Sequence, residues 1–235
     1  MRIDLNADLG ESTERWASGE DVALLHVVTS ANVCCGAYAG DDELIAATCA
    51  AAVEHDVAIG AQVGYPDREG FGRVPMNMDS EALREEVARQ IAHLADLAKG
   101  VDGSVTYVKP HGALYHTIVR DEVQAAAVVE AVREAALSLV GLPGAASLRL
   151  ARAAGVSVVL EGFADRGYTD EGTLVPRSEP GALLDDPRDA ALQAVRLLHE
   201  GVDSICVHSD SPGALDIIRS VRVALEYAGA EVRHP

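Results

Sequence analysis

Seven short apolar runs, each followed by a stretch of helical periodicity, constrain the fold of this chain more than any other feature. The runs are RIDLN (2–6), ANVC (31–34), VAIGA (57–61), VTYVK (105–109), LSLVGL (137–142), VSVVLE (156–161) and SICVH (204–208). They read as near-continuous apolar segments, the pattern of parallel strands covered on both faces. Helical patterns occupy 42–55, 80–99, 121–136, 145–154, 187–200 and 212–228. The clearest is 80–99, where Leu83, Val87, Ile91, Leu94 and Ala98 form one stripe, with Ser80 placed to cap its start and Gly100 to end it. Strand–helix alternation specifies an α/β fold with a parallel sheet. About seven such units point to a closed or nearly closed barrel, with a doubly wound open sheet as the alternative. No linker, low-complexity tract or short repeat divides the chain, so 1–235 reads as a single α/β barrel domain.

A chain of 235 residues suffices for such a barrel and its core. Aromatic residues make up only 4% of it, so Val, Leu, Ile and Ala must fill the interior. The net charge of −18 argues against nucleic acid and anionic membrane as partners, because both need a basic face. The opening MRIDLNADLG reaches polar residues at once, so no signal peptide is expected, and no apolar run has the length of a membrane span. Cys34, Cys35, Cys49 and Cys206 form no C-x-x-C pair. Four free thiols fit a reducing cytoplasm, and each reads as a small buried side chain. The apolar face of 121–136 would allow a homodimer.

In parallel α/β folds ligands bind beyond the carboxyl ends of the strands. The first strand leads to Asn6, Asp8 and Glu11, the second to Asn32, Tyr38 and Asp41, and the third to Gln62, Tyr65, Asp67 and Arg73. Lys109 and His111 end the fourth, Glu161, Asp165 and Arg166 the sixth, and His208 and Asp210 the seventh. The fifth ends in no ionisable group. Six strand ends of seven therefore carry polar or ionisable groups to one rim, the expected active site. Lys109 suits a developing negative charge. His111, held stiffly behind Pro110, is a candidate acid or base near neutral pH. The segment 162–186 is rich in Gly, Pro and charge, and its length marks a binding loop or lid. Asp8, His111, His208 and Asp210 could form a mixed metal site, but no H-x-x-x-H or H-E-x-x-H spacing points to one. No G-x-x-x-x-G-K-[ST] occurs, and no G-x-G-x-x-G follows a strand.

Six stretches together resemble the LamB/YcsF family, which includes the A subunit of bacterial 5-oxoprolinase. They are IDLNADLGE (3–11), SANVCCGAYAGD (30–41), VAIGAQVGYPDREGFGR (57–73), VKPHGALY (108–115), FADRGYTDEGTLVPRS (163–178) and CVHSDSPGAL (206–215). The resemblance implies a TIM-like barrel of the polysaccharide deacetylase type. It implies ATP-dependent opening of 5-oxo-L-proline to L-glutamate, with ATP used by a complex that contains partner B and C subunits. Carried onto this chain, it makes Asp8 a base or water anchor, Lys109 the holder of an oxyanion or phosphoryl group, and His111 a proton-transfer group. Asp210 would orient His208 or His111. Asn6, Arg73, Glu161, Arg166, Arg177 and His208 would bind substrate, with Arg73 and Arg166 as clamps and Arg177 closing the long loop.

Two departures bear on metal. Tyr38 and Gln62 stand where the family has histidines, and both are poor zinc ligands. No metal ligand is assigned. The alternatives are a metal-independent hydrolase of another lactam or amide, and a non-catalytic barrel that binds a small acid. Lys109→Ala and His111→Ala are expected to abolish turnover and leave the fold intact.

Overall fold

The computed structural model describes residues 1–211 and 213–234. In chain order the elements are β1 (Arg2–Leu9), α1 (Thr13–Ser18), α2 (Glu20–Leu25), β2 (Ser30–Cys34), α3 (Asp42–Glu54), β3 (Ala58–Val63), α4 (Ser80–Lys99) and β4 (Val105–Pro110). There follow α5 (Gly112–Thr117), α6 (Glu122–Glu134), β5 (Ser138–Gly141), α7 (Ala146–Ala153), β6 (Val158–Phe163), α8 (Pro187–Glu200), β7 (Ser204–Cys206), α9 (Ala214–Tyr227) and β8 (Glu231–Val232). Residue 212, where the sequence pattern begins the last helix, lies outside the described residues.

Among the described residues, β1 to β7 form a closed barrel of seven parallel strands, sealed where β1 pairs with β2 on one edge and β7 on the other. The open-sheet alternative is excluded by that closure. The two residues of β8 pair with Arg2 and Ile3 of β1.

The barrel is held from outside. Ile3, Leu5, Ala7 and Leu9 of β1 join the main apolar core, as do Leu83, Val87, Ile91, Leu94 and Ala98 of α4, the stripe read from the sequence. Asp79, not Ser80, caps α4: its Oδ1 accepts the N–H groups of Glu81 and Ala82 at 3.0 and 3.2 Å. The apolar face of α6 is covered within the chain. Ala125, Val128, Val129, Ala131 and Val132 are buried and α6 packs against α4 and α7, so this face is not the dimer surface the sequence allowed.

The interior differs from the expected continuous apolar filling. Along β1 the residues that alternate with the apolar set are Asp4, Asn6 and Asp8, all buried. Period-2 alternation sends them to the opposite face of the strand, into the barrel. Asp4 accepts hydroxyl hydrogen bonds from Thr29, Ser30 and Ser204. Asn6 donates to Ser204 Oγ (2.7 Å), and Asn32 donates to Asn6 Oδ1 (2.7 Å) and Asp8 Oδ1 (2.9 Å). Tyr107 crosses the interior to donate to Asn32 Oδ1 at 2.8 Å. Gly60 makes room for it, since a Cβ there would lie 2.0 Å from the Tyr107 ring. The sheet is thus apolar outside and hydrogen-bonded inside, and every buried side-chain polar atom described has a partner.

Candidate active site

The polar interior continues upward into a cavity of about 460 Å³ at the carboxyl ends of the strands. Asp8, Glu11, Gln62, Lys109 and His111 line its floor, and Arg73, Arg177, His208 and Asp210 line its walls and mouth. Two close backbone approaches shape it. Gly112, with φ of 56°, sits so near the carbonyl of Gly72 that a Cβ would lie 2.5 Å from its oxygen. Ala113 N–H donates to that carbonyl at 2.9 Å, drawing loop 64–79 over the end of β4.

Lys109 is 3% exposed. Its Nζ lies 2.9 Å from Glu161 Oε1, 3.1 Å from Asn6 Oδ1, 3.3 Å from Asp8 Oδ1 and 3.0 Å from Cys206 Sγ. Burial would strip its proton, but Asp8 and Glu161 outweigh burial and hold the ammonium above its ordinary value. Asp8 is the reciprocal case: burial pushes its carboxyl up, and Lys109, His208 and His111 pull it well below the usual range.

Glu11 is its counterpart. Its Oε1 is 3.5 Å from the Tyr38 hydroxyl and 3.5 Å from His111 Nδ1. Burial and the Asp8 charge push its carboxyl well above the ordinary value. Two carboxyls at one site with opposed proton affinities make an acid–base pair.

His111 stacks on Tyr38 with ring centroids 4.0 Å apart. Its Nε2 lies 3.0 Å from the Phe71 carbonyl, which can only accept, so Nε2 carries the hydrogen. Tyr38 donates to Gln62 Oε1 at 2.7 Å, which turns the Gln62 amide N–H toward His111 Nδ1 at 3.3 Å. Burial lowers the imidazole to about 4, outside the near-neutral range suggested by sequence.

His208 has the opposite arrangement. Its Nδ1 lies 3.1 Å from both carboxylate oxygens of Asp165, and its backbone N–H donates to Asp165 Oδ2 at 2.9 Å. Asp165 is buried; burial raises its carboxyl, and His208 more than offsets this, holding it low. The ring stacks on Phe163 with centroids 5.3 Å apart. Nδ1–H to Asp165 leaves the Nε2 lone pair free to act as a base.

Asp210 therefore does not orient His208 or His111; Asp165 fills that place for His208. Asp210 instead meets Arg73 Nη2 at 2.6 Å and Arg177 Nη1 at 3.2 Å. Arg166 also lines the cavity. Buried, it donates Nε to the Ala182 carbonyl (3.0 Å) and Nη2 to that of Val175 (2.7 Å), so it pins the long loop from within. The loop brings Leu174, Pro176 and Arg177 to the cavity. Asn6 and Glu161 lie below the cavity, tied to Lys109 and each other.

A zinc ion does not fit this donor set. Asp8, Glu11 and His111 bring ligand-type atoms within 4.8 Å of one another. But Asp8 already faces an ammonium, His111 Nδ1 faces an amide N–H, and Tyr38 and Gln62 bond to each other.

The model of the LamB/YcsF family matches residues 3–235. The chain belongs to the LamB/YcsF family. Among its relatives, the 5-oxoprolinase A subunit of Paracidovorax citrulli (strain AAC00-1) is 50% identical, over 99% of this chain and 99% of that protein. The crystal structure of a lactam utilization protein from Thermus thermophilus matches with a TM-score of 0.92 at 41% identity, over 99% of both chains. A family 4 carbohydrate esterase from Streptomyces lividans, at 12% identity and a TM-score of 0.55 over 98% of this chain and 91% of that one, shares the fold alone. No helix among the described residues is long and apolar enough to cross a membrane.

Within this LamB/YcsF barrel, sequence reasoning left Glu11 and Asp165 at the rim without a role. Strand adjacency was the missing signal for Asp165. Phe163 of β6 is in register with Cys206 of β7, so the positions two residues beyond, Asp165 and His208, meet.

Proposed function

We propose that this chain is the A subunit of a 5-oxoprolinase and opens the lactam ring of 5-oxo-L-proline to give L-glutamate. The observation that carries this reading is one cavity joining Asp8, whose carboxyl Lys109 holds low, Glu11, whose carboxyl burial pushes up, an Asp165-held His208 and a pair of arginines. The substrate carboxylate sits between Arg73 and Arg177. Asp8 orients a water molecule over the lactam carbon, and His208 Nε2 takes a proton from it as the oxygen attacks. The bond from that carbon to the ring nitrogen breaks, and Glu11 gives the nitrogen its proton. Lys109 sets the potential of the floor, holding Asp8 ionised.

A lactam carbonyl is a poor electrophile; the complex activates it by moving the γ-phosphoryl group of ATP onto the lactam oxygen, with ADP leaving, so that water addition and C–N cleavage give an acyl phosphate, which a second water hydrolyses to L-glutamate and inorganic phosphate. With a carboxylate-lined cavity on this chain, nucleotide handling falls to the B and C subunits. The four free, buried thiols agree with a cytoplasmic setting. The Tyr38–Gln62 bond supports a second reading, a metal-independent hydrolase of another small lactam or amide.

Reconstitution tests the first reading. The purified chain, its B and C partners, 5-oxo-L-proline and ATP should release glutamate, and omission of the chain should abolish release. Equal release without the chain overturns it. Release from other lactams alone supports the second reading.

A further inference from the structure

Three side chains from three different loops meet on the wall of the cavity. Arg73 comes from loop 64–79, Arg177 from the loop between β6 and α8, and Asp210 from the loop between β7 and α9. Asp210 Oδ2 lies 2.6 Å from Arg73 Nη2 and 3.2 Å from Arg177 Nη1, and its Oδ1 lies 3.4 Å from Arg177 Nη2. Arg73 also rests on the Phe71 ring, 4.9 Å from its centroid. Two guanidinium groups converging on a single carboxylate form a seat for a carboxylate. The seat sits on the cavity wall and is filled by the chain itself.

We infer that Asp210 is a built-in stand-in for the carboxylate of a small-acid ligand, which enters by displacing it from Arg73 and Arg177. This inference rests on the proposed placing of the substrate carboxylate at those arginines. The exchange is easy because the clasp is solvated: the side chains of Arg73, Arg177 and Asp210 are 43%, 33% and 32% exposed. Exposed ion pairs are weak, so an entering acid meets a competitor of modest strength. Electrostatics favour such a seat. The chain carries a net charge of −18, and the other cations of the cavity wall, Lys109 and Arg166, are buried, so Arg73 and Arg177 are the part-exposed guanidinium groups that an entering carboxylate meets there. A neutral lactam that lacks the carboxylate does not compete with Asp210 at all. Asp210 thus lowers the affinity for acids alone and keeps the two arginines in place when no acid is bound.

Direct binding to the purified full-length chain tests this, by calorimetry with three probes. They are 5-oxo-L-proline, cyclopentanecarboxylate (an acid of similar shape without the lactam) and 2-pyrrolidinone (the lactam without the acid). Asp210→Asn should tighten both acids about fivefold and leave 2-pyrrolidinone unchanged. Adding Arg73→Gln should remove the gain. Thermal melts of each variant confirm that it is folded. Unchanged or weaker acid binding in Asp210→Asn overturns the exchange, as does an equal gain for 2-pyrrolidinone, or no acid binding to either protein. If cyclopentanecarboxylate gains while 5-oxo-L-proline binds neither protein, the exchange stands and the 5-oxoproline reading falls.

Discussion

His111 illustrates how a buried side chain can be fixed in one protonation state by its neighbours. The Phe71 carbonyl demands a hydrogen on Nε2, and the Gln62 amide N–H demands a lone pair on Nδ1. A second proton would have to face that N–H inside a closed wall, where Arg73 and Lys109 add positive charge. Burial is the leading cause, and it places the folded-state value at about 4, below the ordinary 6.5. Between those values the unfolded chain binds the extra proton and the folded chain does not. The contribution of His111 to stability is therefore complete above pH 6.5 and is lost as the pH falls toward 4, about 3 kcal/mol in full. His111→Phe keeps the ring on Tyr38 and removes the titration. Urea unfolding from pH 7 to pH 4 should show that the variant loses about 3 kcal/mol less stability than the parent chain; parallel profiles would refute the assignment. At this scale the sequence placed Asp8, Lys109, His111 and His208 at the rim because each follows a β-run directly. The family resemblance made Asp210 the group that orients His208 or His111. The real partner, Asp165, is remote in sequence and near only through the β6–β7 register.

Among the helices, those of eight residues or more were readable and those of six were not. α4 was expected at 80–99 and spans Ser80–Lys99. The six-residue helices α1, α2 and α5 and the two-residue β8 carry too little pattern to be seen in advance. The cap of α4 was misplaced by one residue. Asp79 has the extended ψ of 143° that lets its carboxylate reach back over the first turn, whereas Ser80 is already helical. Asp79→Ala should cost about 1 kcal/mol of stability and Ser80→Ala much less. Chemical denaturation of both variants checks this, and a reversed ranking would return the cap to Ser80. The sheet itself hid a second pattern. β1 reads I-D-L-N-A-D-L, an alternation that specifies opposite characters for its two faces, but its apolar half alone was enough to identify a strand.

The polar half of that alternation governs the whole molecule. Its barrel is held closed by helices outside and by a hydrogen-bonded ionic core inside, and Lys109 is the counter-charge of that core. The sequence expectation was that Lys109→Ala abolishes turnover and leaves the fold intact. The structure separates these two effects. Without the ammonium, Asp8 and Glu161 stay buried with no cation in contact, together with the amide oxygen of Asn6. Leaving a buried charge without its partner costs about 3–5 kcal/mol. For a chain of this size that is a fall in Tm on the order of 10 °C. Replacing all the charges at once removes the uncompensated carboxylates and avoids most of that cost. Lys109→Ala should therefore melt about 10 °C below the parent, while Lys109→Met combined with Asp8→Asn and Glu161→Gln should recover most of the difference and remain inactive. Differential scanning calorimetry of the three proteins decides the matter. An unchanged Tm in Lys109→Ala would mean that the carboxylates find protons or water more easily than the closed interior allows, and Lys109 would then act at the cavity alone.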